Sequence, residues 1–235
     1  MPSYEVRPHC TVEDGRAVAA CNAAAFWGEI WWRLLWPGQT LESVTAAIAD
    51  RTPRNLLQMR GVRRHQTVVD TESGDIVGYA RWVLPDSHNG RWLEAQTPDV
   101  DATAKDGFKK AFDDAAYEPR DDMDDMDDHL WEWRSKYDRE DCLELDYLAV
   151  HPDHHRKGIA TMLVESGAKV AADLGLDIVA IAMGKSAHDL CLKLGFEQLE
   201  HESQDLSTYG EEGVYDTYYL LKRATKEVKA SDSEP

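Results

Sequence analysis

An α/β fold, with a mixed and strongly twisted sheet of about seven strands flanked by helices, is the class this sequence predicts, on three observations. The stretch Asp146 to Thr161 runs from an apolar strand through a His-Pro turn and a short basic loop into an amphipathic helix that continues to Leu174. A second stretch, Ser186 to Phe196, places Ala187, Leu190, Cys191 and Leu194 on one helical face, stops at Gly195 and re-enters a strand at Phe196. Upstream, Gln66 to Asp70 and Ile76 to Leu84 are apolar and β-branched runs joined by the glycine-containing turn Thr71 to Asp75, the pattern of a hairpin. Strands and helices that alternate in this way pack as layers around a sheet.

In chain order, Tyr4 to Arg7 forms a first strand, and Val12-Glu13-Asp14 starts a helix that carries small and aromatic residues from Ala17 to Trp27. A dense aromatic segment, Phe26 to Trp36, is broken by Pro37-Gly38, and Leu41 to Arg51 is a further helix with Thr40 as its cap. After the hairpin, residues from about 86 to 141 are too many for a strand-to-strand link and form an insertion with structure of its own. Within it Met123, Met126, Leu130, Trp133 and Tyr137 recur at steps of three and four, which predicts an apolar stripe on a helix of roughly five turns. Asp121, Asp122, Asp124, Asp125, Asp127 and Asp128 occupy its first turns, where the helix dipole favours them. They read as a solvated face or as an acidic lid that attracts cations; the glycine and distal glutamate of a calcium loop are missing. Asp177 to Met183 is a strand ending at Gly184, Phe196 to Glu202 and Val214 to Lys222 are closing strands, and the charged stretch 224–235 is expected to be a disordered tail behind one domain, 1–223.

The bulk composition narrows the function classes. With 43% apolar residues and eight tryptophans in 235 residues, the chain can fill one sizeable core. A formal charge of -18, from 26 basic and 44 acidic residues, repels nucleic acid and anionic membrane surfaces and favours a cationic partner. No long apolar run or secretory signal is legible, and Cys10, Cys21, Cys142 and Cys191 are scattered without zinc-type spacing, so a cytoplasmic protein with reduced thiols is expected. His151, His154 and His155 crowd one turn but have no distant completing ligand, so no metal is expected.

The basic turn carries the chemistry. The first turn of a helix leaves N–H groups unpaired, and Gly158 and Ala160 keep bulk away while Arg156 and Lys157 add cationic donors, which suits a phosphate. Together, His155-Arg156-Lys157-Gly158-Ile159-Ala160 and Ala187 to Phe196 resemble the two motifs of the GNAT superfamily of acyl-CoA-dependent N-acetyltransferases, in the right order and separated by one helix and one strand. The resemblance covers residues 143 to 222 and departs from the family at His155, where Gln or Arg is usual, and at Cys191, where Tyr is usual.

That resemblance implies acetyl-CoA in a V-shaped gap between the strands Leu143 to Val150 and Asp177 to Met183. Main-chain groups of Leu148, Ala149 and Val150 would hold the pantetheine arm, and His155, Arg156, Lys157, Gly158, Ile159, Ala160 and Thr161 the pyrophosphate, with Gly184, His188 and Cys191 along the far wall. It also implies transfer of the acetyl group to a primary amine, small and cationic, by direct attack in a ternary complex. Attack requires the ammonium to lose a proton, and Glu144 and Asp146 are the rival bases, expected by the two-residue strand period to share a face with Leu148 and Val150. Cys191 is either a proton donor to the leaving thiolate or a small core residue; Tyr209, Tyr215, Tyr218 and Tyr219 are unranked alternatives. A longer acyl donor and a non-catalytic acyl-CoA-binding module stay open. The aromatic surface of Trp31 to Trp36 suits core, acceptor site or a homodimer contact.

Overall fold

The computed structural model describes residues 3–137 and 141–224. Seven strands form one sheet in the order β1-β2-β3-β4-β5-β7-β6: β1 Tyr4–Arg7, β2 Arg63–Asp70, β3 Ile76–Val83, β4 Cys142–Val150, β5 Asp177–Met183, β6 Glu197–Asp205 and β7 Val214–Lys222. Every neighbouring pair is antiparallel except β4 and β5, which run parallel. The helices are α1 Gly15–Trp27, α2 Ile30–Leu34, α3 Leu41–Leu56, α4 Ala102–Asp114, α5 Asp128–Tyr137, α6 Ile159–Leu174 and α7 Lys185–Lys193.

The two faces of the sheet are packed differently. On one, α6 and α7 cover an apolar core that includes Ala80, Trp82, Leu143, Leu145, Ile159, Leu163, Ala182 and Cys191. The fit is tight because two glycines admit it: a Cβ on Gly78 would lie 2.6 Å from Ile159 Cγ2, and one on Gly167 would lie 2.1 Å from Trp82 Cζ2. Helix α6 therefore rides close on β3, and its N-terminal end is held beside the end of β4. On the opposite face α1 and α3 pack around Cys10, Val18, Leu56 and Tyr79, while Trp133 and Tyr137 of α5 pack against Tyr219 and Val179.

Several elements differ from expectation for physical reasons. Helix α3 starts at the expected cap, Thr40, whose Oγ1 accepts from Ser43 N–H at 3.2 Å, but it runs past Arg51 to Leu56 with Pro53 inside it. Pro53 is accommodated where Gly15 of α1 leaves room, since a Cβ on Gly15 would come within 3.0 Å of Pro53 Cγ. The apolar stripe from Met123 to Tyr137 does face the protein, yet it is split between a 3-10 turn, Asp124–Asp127, and α5. Helix α4 escapes a hydrophobic-pattern reading because Phe108 and Phe112 are its only large apolar residues. It is capped by Asp101, which accepts from Ala104 N–H at 2.8 Å. Of the expected tail, residues 225–235 lie outside the described residues.

Candidate active site

The parallel pairing of β4 and β5 covers only Cys142 to Leu145 against Asp177 to Ala180. Beyond Leu145 and Ala180 the two strands are unpaired with each other, so the β5-side edge of residues 146–150 is open to hydrogen-bond something else. The cause is local. Between β3 and β4 the register steps from Arg81 opposite Tyr147 to Trp82 opposite Leu145, which leaves Asp146 as the extra residue of a β-bulge.

The bulge also corrects the face assignment. With a strict two-residue period Glu144 and Asp146 would lie with Leu148 and Val150. Instead Leu143, Leu145, Leu148 and Val150 all pack on the α6 face, while Tyr147 packs on the α1–α3 face. Glu144 and Asp146 thus lie across the sheet from Leu148 and Val150. Their partners separate the rivals further. Glu144, within the paired part of β4, accepts from Arg134 Nη2 of α5 at 2.8 Å. Asp146, at the parting, accepts from Arg81 Nε.

The loop after β4 presents the expected donors. Gly158 caps α6 in the left-handed conformation with φ 83°, and open space surrounds the position of its absent Cβ. The first bond of the helix runs from Met162 N–H to the Gly158 carbonyl, so the N–H groups of Ile159, Ala160 and Thr161 have no intrahelical acceptor. Arg156, itself left-handed at φ 60°, and Lys157 are exposed. His155 folds back, its Nε2 3.0 Å from the Val150 carbonyl oxygen, and so ties the loop to the strand end. His154 Nδ1 lies 3.0 Å from Tyr4 Oη. These residues fit a pyrophosphate: main-chain donors, two cations and no bulk.

On the far wall, Gly184 ends β5 with φ 83° and α7 starts at once. His188, in its first turn, stacks on Tyr218 with ring centroids 4.0 Å apart, and its Nε2 is buried without a partner. Cys191 does not reach this wall; it is 5% exposed inside the α6–α7 core, and burial pushes its thiol up to about 11. The candidate tyrosines also separate. Tyr215 is buried with its hydroxyl 3.4 Å from Asp127 Oδ1, Tyr219 stacks on Tyr137, and Tyr218 is clasped between His188 and His201.

Sequence reasoning missed the other half of the site. On the α1–α3 face a cavity of about 280 Å³ is bounded by α1, α3, β3, β4 and Tyr117, with Arg51, Arg81 and Tyr147 in its wall. His65 Nδ1 lies 2.9 Å from Tyr79 Oη beneath it, and burial beside Arg81, Arg63 and Arg64 drives the His65 imidazole down to about 3. Burial also holds the Tyr79 and Tyr147 hydroxyls well above their ordinary range. Phe26 meets Tyr147 edge-on at 5.1 Å, while Trp31 packs near Met183 and Tyr215 and Trp32 lines the cavity. The aromatic segment therefore serves as both core and site wall. Glu29, between α1 and α2, brings Oε2 to 3.7 Å from where a Gly184 Cβ would stand. An acid between two tryptophan runs was the one sequence signal for it.

Comparison with known proteins agrees with this architecture. Residues 115–196 match the Acetyltransferase (GNAT) family model. A structure described as histone acetyltransferase HPA2 and related acetyltransferase from Corynebacterium glutamicum superposes with TM-score 0.57 at 17% identity, covering 97% of this chain and 99% of that one. The C-terminal condensation domain of Ebony, in complex with beta-alanyl-dopamine, gives 0.57 at 15% identity over 94% and 100%. The ribosomal-protein-S18-alanine N-acetyltransferase from Escherichia coli gives 0.50 at 11% identity over 97% and 98%. At these identities the likeness is one of fold. No curated protein matches by sequence. Among the described residues no helix is long and apolar enough to cross a membrane.

Proposed function

We propose that this chain is a GNAT-type enzyme that moves the acetyl group of acetyl-CoA to a primary amine by direct attack in a ternary complex, a reading supported by the family match over residues 115–196 and by the shared fold. The observation that carries this reading is the parting of β4 and β5 at Asp146, with the donor-rich start of α6 at the end of the same strand.

Acetyl-CoA supplies an activated acyl group whose carbonyl oxygen gains charge during attack. The open main-chain edge of Leu148, Ala149 and Val150 lies along the parting, where a fixed N–H stabilises such charge by several kcal/mol in a dry site. Arg156, Lys157 and the N–H groups of Gly158 to Thr161 bind the pyrophosphate. Each carboxylate is paired with an arginine, and Asp146, rather than Glu144, takes the proton that the acceptor's ammonium must lose, because it sits at the parting while Glu144 lies in the paired part of the strand. The new C–N bond forms as the C–S bond breaks, and the CoA thiolate needs a proton. Cys191 is too buried to give it, and His188 Nε2 is buried as well, so the proton comes from solvent.

A binding module without turnover is the second reading, favoured by Cys191 in place of the usual tyrosine. Calorimetry with acetyl-CoA, followed by thiol release against a panel of amines, separates the two. Binding with amine-dependent release supports transfer. Binding with no release from any amine supports the module, and absence of binding removes both.

A further inference from the structure

The cavity on the α1–α3 face contains an unusual cation. Of the two arginines in its wall, Arg81 is neutralised by Asp146. Arg51 is not: its guanidinium carbon stands 3.7 Å from the Phe112 ring centroid and 3.9 Å from that of Tyr117, and among the described residues it has no ion pair and no hydrogen-bond acceptor. Asp113 influences it only from beyond ion-pair distance. The rings hold the guanidinium in place without satisfying its N–H donors.

These features select a ligand. A planar monoanion is what an unpaired guanidinium recognises, and a carboxylate can engage two of its N–H groups at once. An ammonium suits the Asp146 carboxylate, which pairs with Arg81 of the cavity wall. A volume of about 280 Å³ is at the lower bound for small-ligand pockets and has no room for a folded protein segment. A polyamine would set a second ammonium against Arg51, which is repulsive in a partly buried site.

We propose that this cavity takes a small amine that also bears a carboxylate, an amino acid or comparably small amino carboxylate, with its carboxylate on Arg51 and its amino group toward Asp146. The pocket's role as acceptor site rests on the acetyl-transfer reading; its ligand chemistry does not. The net acidity of the chain still draws the ammonium, and Arg51 then sorts among ammonium compounds.

The test is binding to the intact protein, by calorimetry, of free amino acids, their methyl esters and diamines, with wild type and with Arg51→Gln. The expected result is that at least one free amino acid binds about tenfold or more tightly than its own ester, as loss of a charge-assisted pair implies. In Arg51→Gln that preference vanishes, while Arg51→Lys keeps part of it. Because the acid-against-ester comparison is made on wild type, poor folding of a variant does not obscure it. Equal binding of acid and ester, preference for a diamine, no binding by any free amino acid, or full preference in a well-folded Arg51→Gln would each overturn the proposal. A parallel acetyl-CoA titration keeps the two readings apart. Amino acid binding without acetyl-CoA binding would sink acetyl transfer and leave the carboxylate pocket standing.

Discussion

The two faces of the sheet are built on opposite terms. The α6 face is largely apolar and closely fitted, with Gly78 and Gly167 missing side chains because Ile159 and Trp82 fill their places. The α1–α3 face keeps a cavity, two arginines, a neutral histidine and hydroxyls that burial holds protonated. The contrast follows from the work proposed for each. A nucleotide arm is gripped by main chain and a helix end, which must be held rigidly from behind. A polar acceptor has to be recognised by side chains, which need space and charge.

The largest expected effect lies on the acceptor face. Asp146→Asn should lower the rate of amine-dependent CoA release by about 10²–10⁴-fold, the usual contribution of a positioned base, with acetyl-CoA affinity unchanged. Retained turnover in Asp146→Asn together with loss in Glu29→Gln would transfer the role to Glu29, whose carboxylate stands near the end of β5. On the donor face the test is steric. Gly167→Ala places a methyl 2.1 Å from the Trp82 ring, and overpacking of that kind should cost about 3 kcal/mol in denaturant unfolding. A cost below about 1 kcal/mol would mean that the rigid backing of α6 is overstated.

A pH series tests the neutral histidine. The His65 imidazole, ordinarily near 6.5, is depressed to about 3 in the folded state, so between those values the unfolded chain binds the extra proton. Stability from this group is therefore full above 6.5 and declines as pH falls toward 3, by up to about 1.4 kcal/mol per unit. A His65→Asn variant, though less stable at neutral pH, should show a shallower loss between pH 6.5 and 4. An identical slope would place the acid sensitivity elsewhere. The smallest effect belongs to Glu144→Gln. Its pair with Arg134 is partly exposed, so stability should change by less than about 1 kcal/mol and turnover by only a few-fold. A hundredfold loss of turnover would restore Glu144 as the base.

The same contrast governs what could be read in the chain itself. The donor side is made of contiguous residues: Ile159–Leu174 and Asp177–Met183 have the expected bounds because periodicity, caps and glycines encode them locally. The acceptor side is assembled from Asn22, Arg51, Arg81 and Tyr117, which lie on separate elements and show no common spacing. The bulge at Asp146 was equally illegible. It arises from how β4 meets β3, and a single inserted residue reversed the faces that strand alternation would assign. Cys191 was legible in part: the helix it sits on was evident, but only packing shows that its thiol is closed off from the gap.

Amide hydrogen exchange with and without acetyl-CoA tests the donor site most directly. Added acetyl-CoA should slow exchange in Asp146 to Val150 and in Gly158 to Thr161, with little change in Arg51 to Leu56 across the sheet. Unchanged exchange in both donor segments under saturating acetyl-CoA, or protection confined to the α1–α3 face, would contradict the site described here.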